Sequence, residues 1–182
     1  MLRRVKRGRR TLTRRDFELE FAKARNEKRA PQISGFAAGV DLSNLDFSSP
    51  YTSPYGSHSG VFIGIDLRNA NLSGSRLTSS DLSSANLRGA NFANADLRGA
   101  NLYSCLLQGA NLRGASLAGA NLISAELCEL MIGDADFTDS RFGTTGRGTG
   151  MGSAGRTRQR RIDCAGPDSA VELEVAHPRL EN

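Results

Sequence analysis

Tryptophan is absent from this 182-residue chain and aromatic residues make up only 6% of it. A core of the usual kind, built around large side chains, is therefore excluded. No stretch approaches the ~18 consecutive apolar residues that a membrane-spanning helix needs. Histidine occurs only at His58 and His177, neither in a ligand motif, so no metal site or cofactor is expected. The three cysteines are odd in number and irregularly spaced, which gives no zinc or disulfide framework. They fit a reducing compartment, and the expected location is cytoplasmic. The first 15 residues lack the apolar segment of a secretory signal. Their Arg-rich character is that of an organellar transit peptide, but they contain no serine, and acidic residues begin at Asp16.

What charge there is lies unevenly. Residues 1–30 carry 12 Lys/Arg against 4 Asp/Glu, whereas residues 62–142 carry 6 Arg against 8 Asp/Glu. The net charge of +5 thus belongs to the N-terminal arm and not to the body. Arg3–Arg15 has the character of a segment that attracts phosphates, anionic lipid or acidic protein. No aromatics are interleaved, so base stacking is not signalled. A merely solvated terminus has the same composition.

The body has a period of five. Phe62, Leu67, Leu72, Leu77, Leu82, Leu87, Phe92, Leu97, Leu102, Leu107, Leu112, Leu117 and Leu122 follow one another at that spacing, and Leu127, Ile132, Phe137 and Phe142 continue it. A helix would repeat at three and four, a strand at two. Two residues before most of these stands Ala, with Ser75, Ser80, Ser140 and Cys105 as substitutes, and the residue between is mostly Asn or Asp. Two inward positions two apart make one short extended edge. The remaining small and polar residues turn the chain. An edge and a corner, repeated, close a coil whose successive turns satisfy one another's backbone groups.

The stretch ANLRGANFANADLRGANL at residues 85–102 resembles the pentapeptide-repeat family, whose pattern is A(D/N)Lxx. The resemblance covers about 80 residues and implies an all-β solenoid, a right-handed quadrilateral β-helix with four repeats per coil. On that geometry Leu67, Leu87, Leu107 and Leu127 form one internal column, and Leu77, Leu97, Leu117 and Phe137 another. Asn71, Asn91 and Asn111 stack as a polar ladder, as do Asn101 and Asn121. At ~4.8 Å per rung the run from Val61 is about 20 Å tall.

The expected organisation is a basic arm at 1–12, a helix at 13–30, a β-helix at 36–143 and a disordered Gly/Arg-rich tail at 144–182. Thr13 with Asp16 reads as a capping box, Phe17, Phe21 and Ala24 share one face, and Pro31 stops the helix. Such a helix is placed to cover the open first edge of the coil. Leu42 and Phe47 share the phase of the main run and are expected one coil before Phe62 and Leu67. Residues 48–61, with Pro50 and Pro54, then read as a loop bypassing two faces of the first coil. Large residues in the last coil, among them Leu130 and Met131, permit the end-to-end homodimer seen in some members of the family.

Reactive constellations are lacking. Gly150, Gly152 and Gly155 match G-x-G-x-x-G but have neither a strand before them nor a helix after. Cys105 faces inward and Cys128 outward, so the two are not expected to bridge. The chain is therefore read as no enzyme but a scaffold that binds a protein partner through a coil face. Candidate contacts are Arg68 and Arg88 on one face, Arg98 and Arg113 on others, and Tyr103 stacked on Ile123. A second reading is a nucleic-acid or membrane-surface adaptor using the basic arm. A third comes from the resemblance alone: some family members mimic duplex DNA and bind DNA gyrase, a type II topoisomerase. The near-neutral body departs from the negative rod that mimicry uses.

Overall fold

Each repeat of the body contributes one backbone bridge and one corner, and the spacing of the bridges defines the coil. The computed structural model describes residues 11–47, 60–143 and 161–162. Parallel bridges join Val61 to Asp81, Asp66 to Asn86, Asn71 to Asn91 and Arg76 to Asp96. Every pair is twenty residues apart and the starting points are five apart, so four repeats complete one turn. Each rung is held from both sides. For example, the Leu67 N–H donates to the Asn86 carbonyl, and the Asn86 N–H donates back to Ile65, each at 2.9 Å. At the corner the Ala70 N–H donates to the Leu67 carbonyl at 3.0 Å. The second residue after each Leu then takes a left-handed conformation, as at Ser84 (φ 57°), Gly89 (φ 66°) and Asn94 (φ 58°). This explains why Gly, Asn and Ser crowd that position.

The Leu and Phe residues of the five-residue series from Phe62 to Leu122 are all buried, as are the small residues two positions before nearly all of them. Within the last turns the ladder is regular enough to form named strands. Strand β1 (Asn121–Ile123) pairs in parallel with β3 (Arg141–Gly143). Strand β2 (Leu130–Met131) pairs antiparallel with β4 (Arg161–Ile162). Strand β4 falls in the segment expected to be without structure. Its partner offers a buried Leu and an open ladder edge, on which a returning chain can add a rung.

The first coil departs from the register read in the sequence. Asp41 bridges Asn71 and Asp46 bridges Arg76, so Leu42 lies one turn before Leu72, and Phe47 one turn before Leu77, not before Phe62 and Leu67. The same turn also has its other two faces, because Gln32 bridges Val61 and Phe36 bridges Asp66. No face is bypassed. The turn from Asp46 to Arg76 spans thirty residues in place of twenty, and the surplus of ten falls between Asp46 and Val61 in the sequence. Gly60 and Val61 belong to the coil, and residues 48–59 lie outside the described residues. Residues 1–10, 144–160 and 163–182, for which disorder was expected, also lie outside them. At the other limit of the basic arm, Thr11 bridges Phe36 and the Leu12 N–H donates to the Phe36 carbonyl at 2.7 Å.

Helix α1 (Arg14–Asn26) begins at a Thr13 capping box, with the Thr13 N–H and hydroxyl both donating to Asp16 Oδ2 at 2.7 Å. Its buried face is Phe17, Phe21 and Ala24. Phe21 meets Phe47 edge-on at 5.1 Å between centroids and stacks on Phe62 at 6.0 Å. Phe17 contacts the same two rings. The helix therefore closes the N-terminal end of the hydrophobic column.

Candidate partner-binding faces

Four repeats per turn give four outer faces, and the residue after each Leu or Phe projects from them. The polar residue before it is committed to the scaffold. Asn111 Nδ2 donates to Asn91 Oδ1 at 3.0 Å, Asn91 to Asn71 at 3.2 Å, and Asn71 to Asp41 at 3.1 Å. On another face Asn121 donates to Asn101 at 3.1 Å and Asn101 to Asp81 at 3.0 Å. Both ladders start on an aspartate, an acceptor that needs no further donor of its own. Each acceptor oxygen also takes the backbone N–H two residues on, as Ala93 N–H to Asn91 Oδ1 at 3.1 Å. These amides are structural, fixing edge to corner.

The candidate arginines distribute over three faces. Arg68 and Arg88 share one. Arg68 is paired with Asp66 at 2.9 Å, with its guanidinium 5.7 Å from the Phe36 ring. Arg88 Nε donates to Gln108 Oε1 at 2.5 Å, and its Nη2 reaches Glu126 at 3.2 Å, one rung further. Arg98, on the opposite face, pairs with Asp96 at 2.7 Å. Hydrogen bonds from these guanidinium groups hold the Asp66 and Asp96 carboxyls below the usual carboxylate range. Asp41 is lowered as well, chiefly by the Ser43 backbone N–H. Arg68, Arg88 and Arg98 are thus spent in short internal pairs.

Tyr103 and Ile123 stand on consecutive rungs of the face between those of Arg88 and Arg98. Sequence reasoning missed Ile63, which lies in the same column two rungs before Tyr103. Ile63 is 51% exposed and Tyr103 42%. Among the described residues the only other large exposed apolar side chain is Leu19, on α1 (58%). The signal was present, since 63, 83, 103 and 123 differ by twenty, but Ile63 adjoins Phe62 and reads as part of the same apolar pair. Arg113 lies on the face opposite Tyr103 and does not share its patch.

Cys105 is buried, its thiol donates to the Leu82 carbonyl at 2.8 Å, and burial pushes its pKa up to about 12. It is free, whereas Cys128 is disulfide-bonded. The expectation that these two do not bridge each other is met, but the sequence argument from cysteine spacing, which allowed no disulfide, is corrected. Among the described residues there is no group of three or more His, Cys, Asp or Glu able to hold a metal ion. Nor, among them, is any helix long and apolar enough to cross a membrane.

Coil geometry, polar ladders and repeat pattern together define a class, and the chain belongs to the pentapeptide-repeat family. The family model for pentapeptide repeats matches eight copies, over residues 65–102 and 105–143. Among solved structures, a pentapeptide repeat protein of the Arabidopsis thaliana thylakoid lumen is 34% identical, covering 56% of this chain and 68% of its own, with a TM-score of 0.41. A pentapeptide repeat protein from Nostoc is 21% identical, covering 76% of this chain and 92% of its own, at 0.42. A trypsin-treated form of QnrB1, a plasmid-mediated fluoroquinolone resistance protein, is 22% identical, covering 66% of this chain and 60% of its own, at 0.33. No curated protein sequence is significantly similar to the chain.

Proposed function

We propose that the chain is a non-enzymatic scaffold, a right-handed quadrilateral β-helix that holds a protein partner against the face bearing Ile63, Tyr103 and Ile123. One observation carries the reading: this face is where the coil leaves large apolar side chains open to solvent. Apolar and aromatic residues in the middle of a contact, with charges at its rim, are the usual anatomy of a binding hot spot. Arg88 and Arg98 stand on the two flanking faces and supply that rim. Gyrase mimicry gains nothing from the surface, because Asp66 and Asp96 are neutralised by their own arginines. The basic-arm adaptor rests on residues outside the described part, apart from Thr11 and its successors.

The test is an affinity pull-down from nuclease-treated host lysate with the full chain, an Ile63→Asp/Tyr103→Asp variant and an Arg113→Asp control. Loss of the captured protein from the double variant alone supports the apolar face. Capture by all three that moderate salt removes transfers the function to the basic arm. Capture of a topoisomerase that ignores the double substitution restores mimicry.

A further inference from the structure

Helix α1 turns one face to the coil and leaves the other open. Phe17, Phe21 and Ala24 are buried, so the opposite ridge consists of Arg15, Leu19, Ala22, Lys23 and Asn26, all exposed. Leu19 is the most exposed large apolar side chain among the described residues. Arg15 and Lys23 stand four residues to either side of it, about 6 Å along the helix axis. The carboxylates of this segment are already held within the protein. Asp16 accepts from the Thr13 N–H and hydroxyl, and Glu18 pairs with Arg14 at 2.9 Å. Arg29 takes both Glu20, at 2.7 Å, and Glu27, at 2.6 Å. Arg15 has no ion-pair partner among the described residues, and Lys23 reaches Glu27 only at 3.9 Å. The ridge is therefore apolar at its centre and positive on both sides of it.

We propose that this ridge is a docking surface for an anionic lipid bilayer, on which the rod stands by its N-terminal end. Charge complementarity decides the partner. A layer of anionic headgroups offers negative groups to Arg15 and Lys23 at once, and yields between them to a protruding side chain such as Leu19. The phosphate backbone of a nucleic acid matches the cations but leaves Leu19 in water, and the ridge has no aromatic ring to stack on a base. With one Leu and two cations the contact is shallow and reversible. The Arg-rich segment that precedes α1 in the sequence is a rival source of the same attraction. The ridge is independent of the face of Ile63 and Tyr103, which runs along the side of the rod and stays open to a protein partner.

The full chain is sedimented with sucrose-loaded vesicles of phosphatidylcholine, alone or mixed in equal parts with phosphatidylserine. The ridge predicts capture by the mixed vesicles and none by the neutral ones, falling as salt rises. Arg15→Gln/Lys23→Gln should lower the partition about twenty-fivefold, roughly fivefold for each cation, and flatten the salt dependence. Leu19→Ser should lower it about fivefold and leave the salt dependence as it was. All three positions are exposed on the outer side of α1, so these variants keep the fold. Ile63→Asp/Tyr103→Asp should bind vesicles like the unmodified chain. Failure of the mixed vesicles to capture the full chain overturns the proposal. So does capture that survives the ridge substitutions and is lost in Arg3→Ser/Arg4→Ser/Lys6→Ser/Arg7→Ser, which assigns it to the preceding segment. Capture lost from Ile63→Asp/Tyr103→Asp alone overturns it too, as does duplex DNA at equal phosphate concentration that strips the chain from the vesicles.

Discussion

At each inward small position a hydroxyl has to find an acceptor or go without, and the chain does both. Ser75 and Ser140 hydroxyls donate to the Leu72 and Phe137 carbonyls, each at 2.7 Å. Ser80 is fully buried and its hydroxyl has no partner among the described residues. Alanine is the usual occupant of that position, so Ser80→Ala should raise stability by about 1 kcal/mol through loss of an uncompensated buried hydroxyl. The midpoint of urea unfolding measures it, and a lowered midpoint counts against the reading. Leu97 stands fully buried between Leu77 and Leu117 in its column. Leu97→Ala should cost ~2–5 kcal/mol by leaving a cavity, read by the same titration. These columns and the Asn ladders were legible in the sequence because the period of five, with the four repeats per coil that the family resemblance implies, stacks residues twenty apart. Ile63 was not, because its meaning depends on residues twenty and forty positions away.

Among the elements, α1 is the one that does not repeat, and it carries most of the aromatic contacts. Phe17 and Phe21 close over Phe47 and Phe62, replacing the rung that the coil lacks at its start. Phe21→Ala should cost about 3–5 kcal/mol, a loss felt first in the first coil. Hydrogen exchange should accelerate in α1 and at Leu42 while Leu112 keeps its protection, since solenoid turns couple mainly to their neighbours. Uniform acceleration would mean that the helix anchors the whole rod. The capping box and apolar face of α1 were readable from Thr13, Asp16, Phe17 and Phe21. The register of the first coil was not. A phase of five is satisfied by a first turn of twenty residues or of thirty, and only the backbone pairing of Asp46 with Arg76 decides between them. Ala37 and Ile33, buried in that coil, carry too little apolar signal or fall off phase. Strand β4 had no pattern at all, since its place is set by an edge elsewhere.

For the molecule as a whole, lowered carboxyl groups set the direction of its acid response. The carboxyl groups of Asp41, Asp66 and Asp96 are all held below the ordinary carboxylate range by the hydrogen bonds they accept. Groups lowered in this way contribute stability that is complete above the unfolded-state value and disappears as pH falls through the folded one. The melting temperature should therefore hold steady from neutrality to about pH 5 and drop below pH 4. Arg98→Met should flatten that drop by lowering the neutral value, by only a little because the pair is largely solvent-screened, while the two chains converge at low pH. A scan of melting temperature against pH for the two chains decides it, and parallel curves would dissociate Asp96 from the acid response.

The four-sided turn also indexes the rod like a gear. Removing one pentapeptide between Ile63 and Tyr103 would leave the core pattern intact yet rotate every later face by a quarter turn, taking Tyr103 out of line with Ile63. Removing twenty residues would shorten the rod by one rung, about 4.8 Å, and keep the alignment. The turn from Asp46 to Arg76 escapes this arithmetic: it holds ten residues more than the next one, and Val61 still bridges Asp81 in the common register. A lineage that depends on one face can therefore change length in whole turns, or lengthen a turn that keeps the common register, but not by single repeats.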